Sequence, residues 1–320
     1  MGKALIIGAA IVDIPLSPVP PDIYRAHSTP VSRIAMRVGG DAANEALTLA
    51  RLGHEPVLLS KLGCDPAGDF VLDTMRRAGV DTRLTLREPG LDTGINIVLV
   101  REDGERGFIT SASGSLRRLA LPDLLTALDA PALADVKLMC LASLFVSPQL
   151  GIEDTAALFD ALKARGMTLC ADTTRRKHGE TLREAGGMLS RLDYFFPNLE
   201  EAALLTGTDD PDACADALLD AGVRHVALKL GAKGCLIASK DERCRVPAVP
   251  GVRCVDTTGA GDTFAAAFIA ALLEGRTFTG CARFANAAAS LCVEHVGATD
   301  GDWGREDVER RIQNRVGGGD

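Results

Sequence analysis

Six short, continuous apolar runs recur along the chain: Ala4–Gly8, Pro56–Ser60, Lys137–Leu141, Met167–Ala171, Tyr194–Phe196 and His225–Leu230. Runs this short and without polar alternation read as parallel strands buried on both faces. Each sits near a helical pattern, and the helices are expected over Ala67–Ala78, Leu121–Leu128, Glu153–Arg165, Leu182–Leu189, Leu199–Leu205, Asp212–Ala221, Asp262–Glu274 and Phe278–Val293. Strand and helix therefore alternate, which predicts an α/β fold: a doubly wound, mostly parallel sheet with helices on both faces. No repeat, low-complexity tract or linker divides the 320 residues, and with 47% hydrophobic content they can fill one large core, so residues 1–320 are expected to form a single domain.

Two stretches break the alternation. The proline-rich residues 14–37 are one; the other is 92–111, where Ile95–Val100 turns at Asp103-Gly104 into Arg106–Ile109 and reads as a hairpin. Together they are expected to form a small β lid over the main sheet.

Charge and cysteine usage narrow the function classes. Lys and Arg total 35 against 43 Asp and Glu, a net charge of −8, so there is no broad basic surface for nucleic acid or anionic lipid. The nine cysteines are odd in number, scattered and without a Cys-x-x-Cys pair, as expected of reduced thiols in a cytoplasmic protein. Met1–Ala10 lacks the flanks of a signal peptide, and no apolar run approaches the roughly 18 residues of a membrane span. The five histidines form no metal spacing or triad, which leaves a hydrolase reading without support.

The chemistry concentrates in Asp256-Thr257-Thr258-Gly259-Ala260-Gly261-Asp262-Thr263-Phe264, where an apolar helix begins. The N–H groups of Gly259, Ala260 and Gly261 would lie at its positive end and suit phosphate oxygens. Asp262 is out of place beside an anion unless it takes a proton from a hydroxyl that attacks the bound phosphate; the plainer alternative is a helix N-cap. A second glycine pair, Gly39-Gly40, followed by Asp41 and Asn44, opens another helix that runs to Gly53. No Gly-x-x-x-x-Gly-Lys-Ser/Thr occurs, and Phe264 stands where a dinucleotide fingerprint needs its third glycine.

Asn198 and Glu201 stand one helical turn apart after the run Tyr194–Phe196, either facing the crevice at the strand end or forming a capping box. Lys229 to Gly234 follows another strand, with Gly231 and Gly234 allowing close approach. Asp13 is expected to end the first strand, just before Pro15, and with Gly40, Asp41 and Asn44 it offers groups that a polyol would satisfy.

Taken together, the Gly39-Gly40…Asn44 site, Asn198-x-x-Glu201, Lys229–Gly234 and Asp256-Thr257-x-Gly259-Ala260-Gly261-Asp262 closely resemble, in order, the motifs of the ribokinase-like (phosphofructokinase B) carbohydrate kinases. The resemblance spans nearly the whole chain. It implies an ATP-dependent kinase acting on a hydroxymethyl group of a small carbohydrate, with Asp262 as base and Gly259, Ala260 and Gly261 as anion hole. It also implies sugar contacts from Asp13, Gly39, Gly40, Asp41 and Asn44, and Mg²⁺ organised through water by Glu201 together with Asn198. Lys229, Gly231, Gly234 and Asn286 would face the nucleotide; Asp256 and Thr258 would frame a K⁺ site, as in potassium-activated members; and the lid would pair two subunits into a homodimer. Asp172–Lys177 loosely resembles the Asp-x-Asn-x-Arg segment of sugar-acid kinases, with Arg176 as a candidate anion contact. Ile11 and Asp41 replace the Asn and Lys of ribose-specific members, which argues against ribose. A nucleoside kinase of the same fold and a non-catalytic sugar sensor are the competing readings. The convergence of Asp13, Asp41 and Asp262 favours an unphosphorylated substrate, whereas Arg37, Arg106 and Arg176 are the cations that would neutralise an anionic one.

Overall fold

In the structure, a computed structural model that describes residues 2–25, 27–102, 105–174 and 179–316, all six apolar runs become strands of one eight-stranded sheet. Its order is Arg243–Val246, Cys235–Ser239, His225–Lys229, Tyr194–Phe195, Thr168–Thr173, Leu138–Leu144, Lys3–Ile7, Glu55–Leu59. The last six in that order pair in parallel. The first two are antiparallel additions at one edge, which the apolar-run pattern did not reveal.

Alternate side chains enter opposite layers, which is why the central strands read as unbroken apolar runs. Ala4 and Ile6 join the layer under helices Asp41–Arg51, Pro66–Arg77, Ala260–Leu273 and Phe278–Cys292. Leu5 and Ile7 join the opposite layer, under Leu121–Ala127, Ile152–Ala164, Leu182–Leu189, Leu199–Thr206 and Pro211–Asp220. Helix Ala260–Leu273 is buried at every position from Thr263 to Ala271, because the helices Asp41–Arg51 and Phe278–Cys292 pack against it. An additional helix, Arg305–Val316, packs on Phe278–Cys292 and was not expected from the pattern. The nine cysteines are all free thiols, six of them buried.

A second, five-stranded sheet is built from Ile11–Ser17, Arg33–Ile34, Arg37–Gly39, Ile95–Val100 and Arg106–Thr110. The Asp103-Gly104 turn lies outside the described residues. Asp13 is in the middle of strand Ile11–Ser17 rather than at the end of the first strand, since the chain leaves Lys3–Ile7 and starts a new strand in this second sheet. There it registers beside Asn96 on one side and Arg37 on the other.

Candidate active site

Two helix N-termini meet at the carboxyl end of the main sheet. Helix Ala260–Leu273 has Gly259 as its cap, in the left-handed region at φ 73° and with no side-chain capping bond. A Cβ at Gly259 would also stand 2.3 Å from that of Ala298, so neither the turn nor its packing admits another residue. Asp262 is therefore the third residue of the helix and not its cap, and the capping alternative falls. The Gly259 and Gly261 N–H groups have no acceptor among the described residues, as an anion hole requires. The Ala260 N–H differs from expectation: it closes the turn onto the Thr257 carbonyl at 3.2 Å.

Helix Asp41–Arg51 is likewise capped by a glycine, Gly40, so Asp41 is its first residue; its Oδ2 accepts from the Ser143 hydroxyl at 2.9 Å. One turn on, Asn44 Nδ2 donates to Asp262 Oδ2 at 2.7 Å. The other Asn44 atom, Oδ1, is buried with no partner. Burial, then Asp41, push the Asp262 carboxyl well above the ordinary carboxylate value, against the Asn44 bond and Lys229. Asp13 accepts from Asn96 Nδ2 at 3.0 Å, and burial raises it too. Its carboxylate lies over Gly39, where any Cβ would fall 2.0 Å from Asp13 Oδ2.

From Asp262 a cleft of about 720 Å³ runs between the turn and the ends of strands Thr168–Thr173 and His225–Lys229, a volume suited to a small molecule. Asp41, Asn198, Glu201, Lys229, Gly231, Gly234, Ala260, Gly261 and Asn286 all line it. Asn198 and Glu201 do form the reciprocal capping box, each backbone N–H donating to the other's side chain at 2.8 Å, while both still face the cleft. Asn286 Nδ2 is committed to the Val246 and Pro247 carbonyls at 3.0 and 3.3 Å, so its amide braces the cleft wall. Lys229 Nζ donates to both oxygens of Asp172, at 2.7 and 2.8 Å. Burial would discharge Lys229, yet Asp172, Glu201 and Asp262 hold its ammonium above the ordinary lysine value.

Asp256 and Thr258, read as a candidate monovalent-cation site, instead meet a cation of the protein itself. The Arg106 guanidinium, reaching from the second sheet, binds Asp256 Oδ1 and the Thr258 hydroxyl. The same carboxylate also accepts from the Thr258 N–H and hydroxyl at 2.7 Å and from the Gly297 N–H at 2.9 Å. Arg37 is committed as well, to Asp300. Arg176 lies outside the described residues.

Sequence reasoning passed over Asn96, Ser143, Glu45 and the role of Asp172. A polar residue inside an apolar run signals Asn96, and an acid on the inward face of a helix signals Glu45; Ser143 offers no local signal because its partner is 102 residues away. Glu45 is fully buried, and among the described residues its carboxylate meets no hydrogen-bonding group beyond the weak Cys140 thiol donor.

The model of the pfkB family of carbohydrate kinases matches residues 1–303. The chain is 30% identical to a ribokinase of Staphylococcus aureus over 81% of its own length and 83% of that protein's. It is also 30% identical to a 2-dehydro-3-deoxygluconokinase of Bacillus subtilis, over 85% of each. The solved complex of a provisionally assigned E. coli ribokinase II with ATP and Mg²⁺ superposes with a TM-score of 0.83 at 26% identity, covering 98% of this chain and 100% of that one.

Proposed function

The chain belongs to the pfkB family of carbohydrate kinases, and we propose that it transfers the γ-phosphoryl group of ATP to a hydroxymethyl group of a neutral sugar or polyol. The observation that carries this reading is the Asn44–Asp262 pair. Asp262 is oriented by the amide, while the buried, unpartnered Asn44 Oδ1 stands beside it as an acceptor for a substrate hydroxyl. Asp262 then takes the proton of the attacking hydroxyl, and the Gly259 and Gly261 N–H groups receive the charge on the transferred group.

Substrate neutrality follows from which charges are already paired. Asp13, Asp41 and Asp262 surround the acceptor position, whereas Arg37 and Arg106 are held by Asp300 and Asp256. A phosphate or carboxylate on the sugar would meet these acids, with Arg37 and Arg106 already committed elsewhere. Sugar contacts are assigned to Asp13, Gly39, Gly40, Asp41 and Asn44. The described cleft lining includes one aromatic side chain, Phe264, itself buried, so a nucleobase acceptor would lack a stacking pair. Val249, Val252, Ala289 and Val293 offer an aliphatic wall for the adenine of ATP, next to Gly231, Gly234 and Asn286.

Asn198 and Glu201 supply oxygen donors at the phosphate end, and no cluster of three His, Cys, Asp or Glu able to hold a metal occurs among the described residues. That sparse set fits Mg²⁺, which commonly keeps waters and binds through substrate phosphates. When bound, Mg²⁺ offsets phosphate charge. A K⁺ ion at Asp256 and Thr258 would require Arg106 to withdraw.

We read the five-stranded sheet as a lid belonging to the same single kinase domain. Its exposed Ile34, Phe108 and Ile109 leave apolar side chains on the lid that a second copy of the chain would cover. The unpaired cysteines accord with a cytoplasmic setting. The test is kcat/KM for free hexoses, pentoses, polyols, sugar acids, nucleosides and sugar monophosphates at fixed Mg·ATP. A free sugar or polyol should lead; a sugar phosphate or nucleoside ahead by more than about tenfold overturns the reading.

A further inference from the structure

The cleft's charge inventory is lopsided. Four carboxylates line it, Asp41, Asp172, Glu201 and Asp262, against one basic side chain among the described residues, Lys229. A nucleotide triphosphate entering such a cleft needs cationic help at its reacting end. Lys229 ends a central strand and forms a bridge to Asn198, which places it between the capping box and the glycine turn. Its Nζ lies 3.3 Å from the point where a Cβ on Gly261 would sit, directly beside the proposed anion hole. An ammonium has three donors. The bonds to Asp172 occupy two, and no described acceptor takes the third.

We propose that Lys229 is a catalytic residue whose ammonium contacts the transferred phosphoryl group, and that Asp172 is a positioning residue that aims it. This rests on the kinase reading above. Asp172 is 2% exposed, so its carboxylate reaches little beyond the lysine and backbone. The close approach also gives Gly261 a purpose beyond turn geometry, since a side chain there would crowd the ammonium.

The competing account is that Lys229 only neutralises a buried aspartate. The two separate in a double-variant comparison. Lys229→Met leaves Asp172 unpaired and should lower both Tm and kcat under either account. Lys229→Met combined with Asp172→Asn removes both charges with little change of shape, so Tm should recover. If the ammonium meets the phosphoryl group, kcat of the double variant stays about 10²-fold or more below wild type. Recovery of kcat to within about tenfold of wild type overturns the proposal. Should the wild-type chain phosphorylate no sugar at all, the functional reading fails on its own. Calorimetric binding then decides about Lys229: the double variant should lose affinity for Mg·ATP relative to Mg·ADP, and an unchanged ratio overturns the assignment.

Discussion

Asn44 and Asp262, 218 residues apart, are joined by a 2.7 Å bond from amide nitrogen to carboxylate oxygen that ties the first turns of two helices together. The bond favours the charged carboxylate, while burial and Asp41 oppose it. The acid limb of kcat/KM should therefore lie above the ordinary carboxylate range, activity rising with pH as Asp262 loses its proton. Asn44→Ser removes the donor and should move that limb to still higher pH. A pH profile that stays in place, or moves down, means the amide does not act on the base.

Asp262→Asn should keep the packing and the neighbouring N–H groups but lose the proton acceptor. The expected fall in kcat is about 10²–10⁴-fold, with Mg·ATP binding by calorimetry nearly unchanged. Retention of most of the wild-type kcat would remove Asp262 from the mechanism.

The capping box makes Glu201→Gln a clean probe, because glutamine can still accept the Asn198 N–H and only the charge is deleted. Tm should hold, while the Mg²⁺ concentration for half-maximal activity rises severalfold. If the titration is unchanged, capping the helix is the whole of the Glu201 contribution.

Arg106 ties the second sheet to the glycine turn, and on the reading of that sheet as a lid, Arg106→Ala should release it without unfolding the turn, because Asp256 keeps its bonds from Thr258 and Gly297. We expect KM for the sugar to rise by about tenfold with Tm little altered, as for other loosened lids. An unchanged KM would show that the contact does not govern closure.

Glu45 faces Asp172, Asp262, Asp41 and the Cys140 thiol, and burial followed by these acids raises it well above the ordinary glutamate value. The folded protein then holds a proton that the unfolded chain releases above about pH 4.5, so this group lowers stability as pH rises toward its folded value. Glu45→Gln should abolish that slope, matching wild type near pH 5 and exceeding it by about 1–3 kcal/mol at pH 8–9 in denaturant titrations. Equal pH dependence in both proteins would mean that Glu45 is ionised in the fold.

Much of this architecture is local and so can be read from the chain. Ala4–Gly8 and its five counterparts read as buried strands because their apolar centres, such as Leu5-Ile6-Ile7, keep no polar face for water, and Gly39-Gly40 and Gly259–Gly261 open helices at sharp turns. The edge strand Arg243–Val246 carries no apolar-run signal because it holds charged arginines, as an edge exposed to water permits. Pro15 suggests a break just after Asp13, yet both lie within strand Ile11–Ser17 of the second sheet.

The order of motifs was enough to identify the kinase family, the helix-opening glycine turns and the acid beside them, since each depends on residues within a few positions of one another. Only the tertiary structure decided the pairings: Asn44 with Asp262, Lys229 with Asp172, Arg106 with Asp256, and Ser143 with Asp41. Each joins residues separated by 57 to 218 positions. The partner of a buried charge depends on which strand ends and helix termini the sheet order brings together, and local periodicity carries no record of that order.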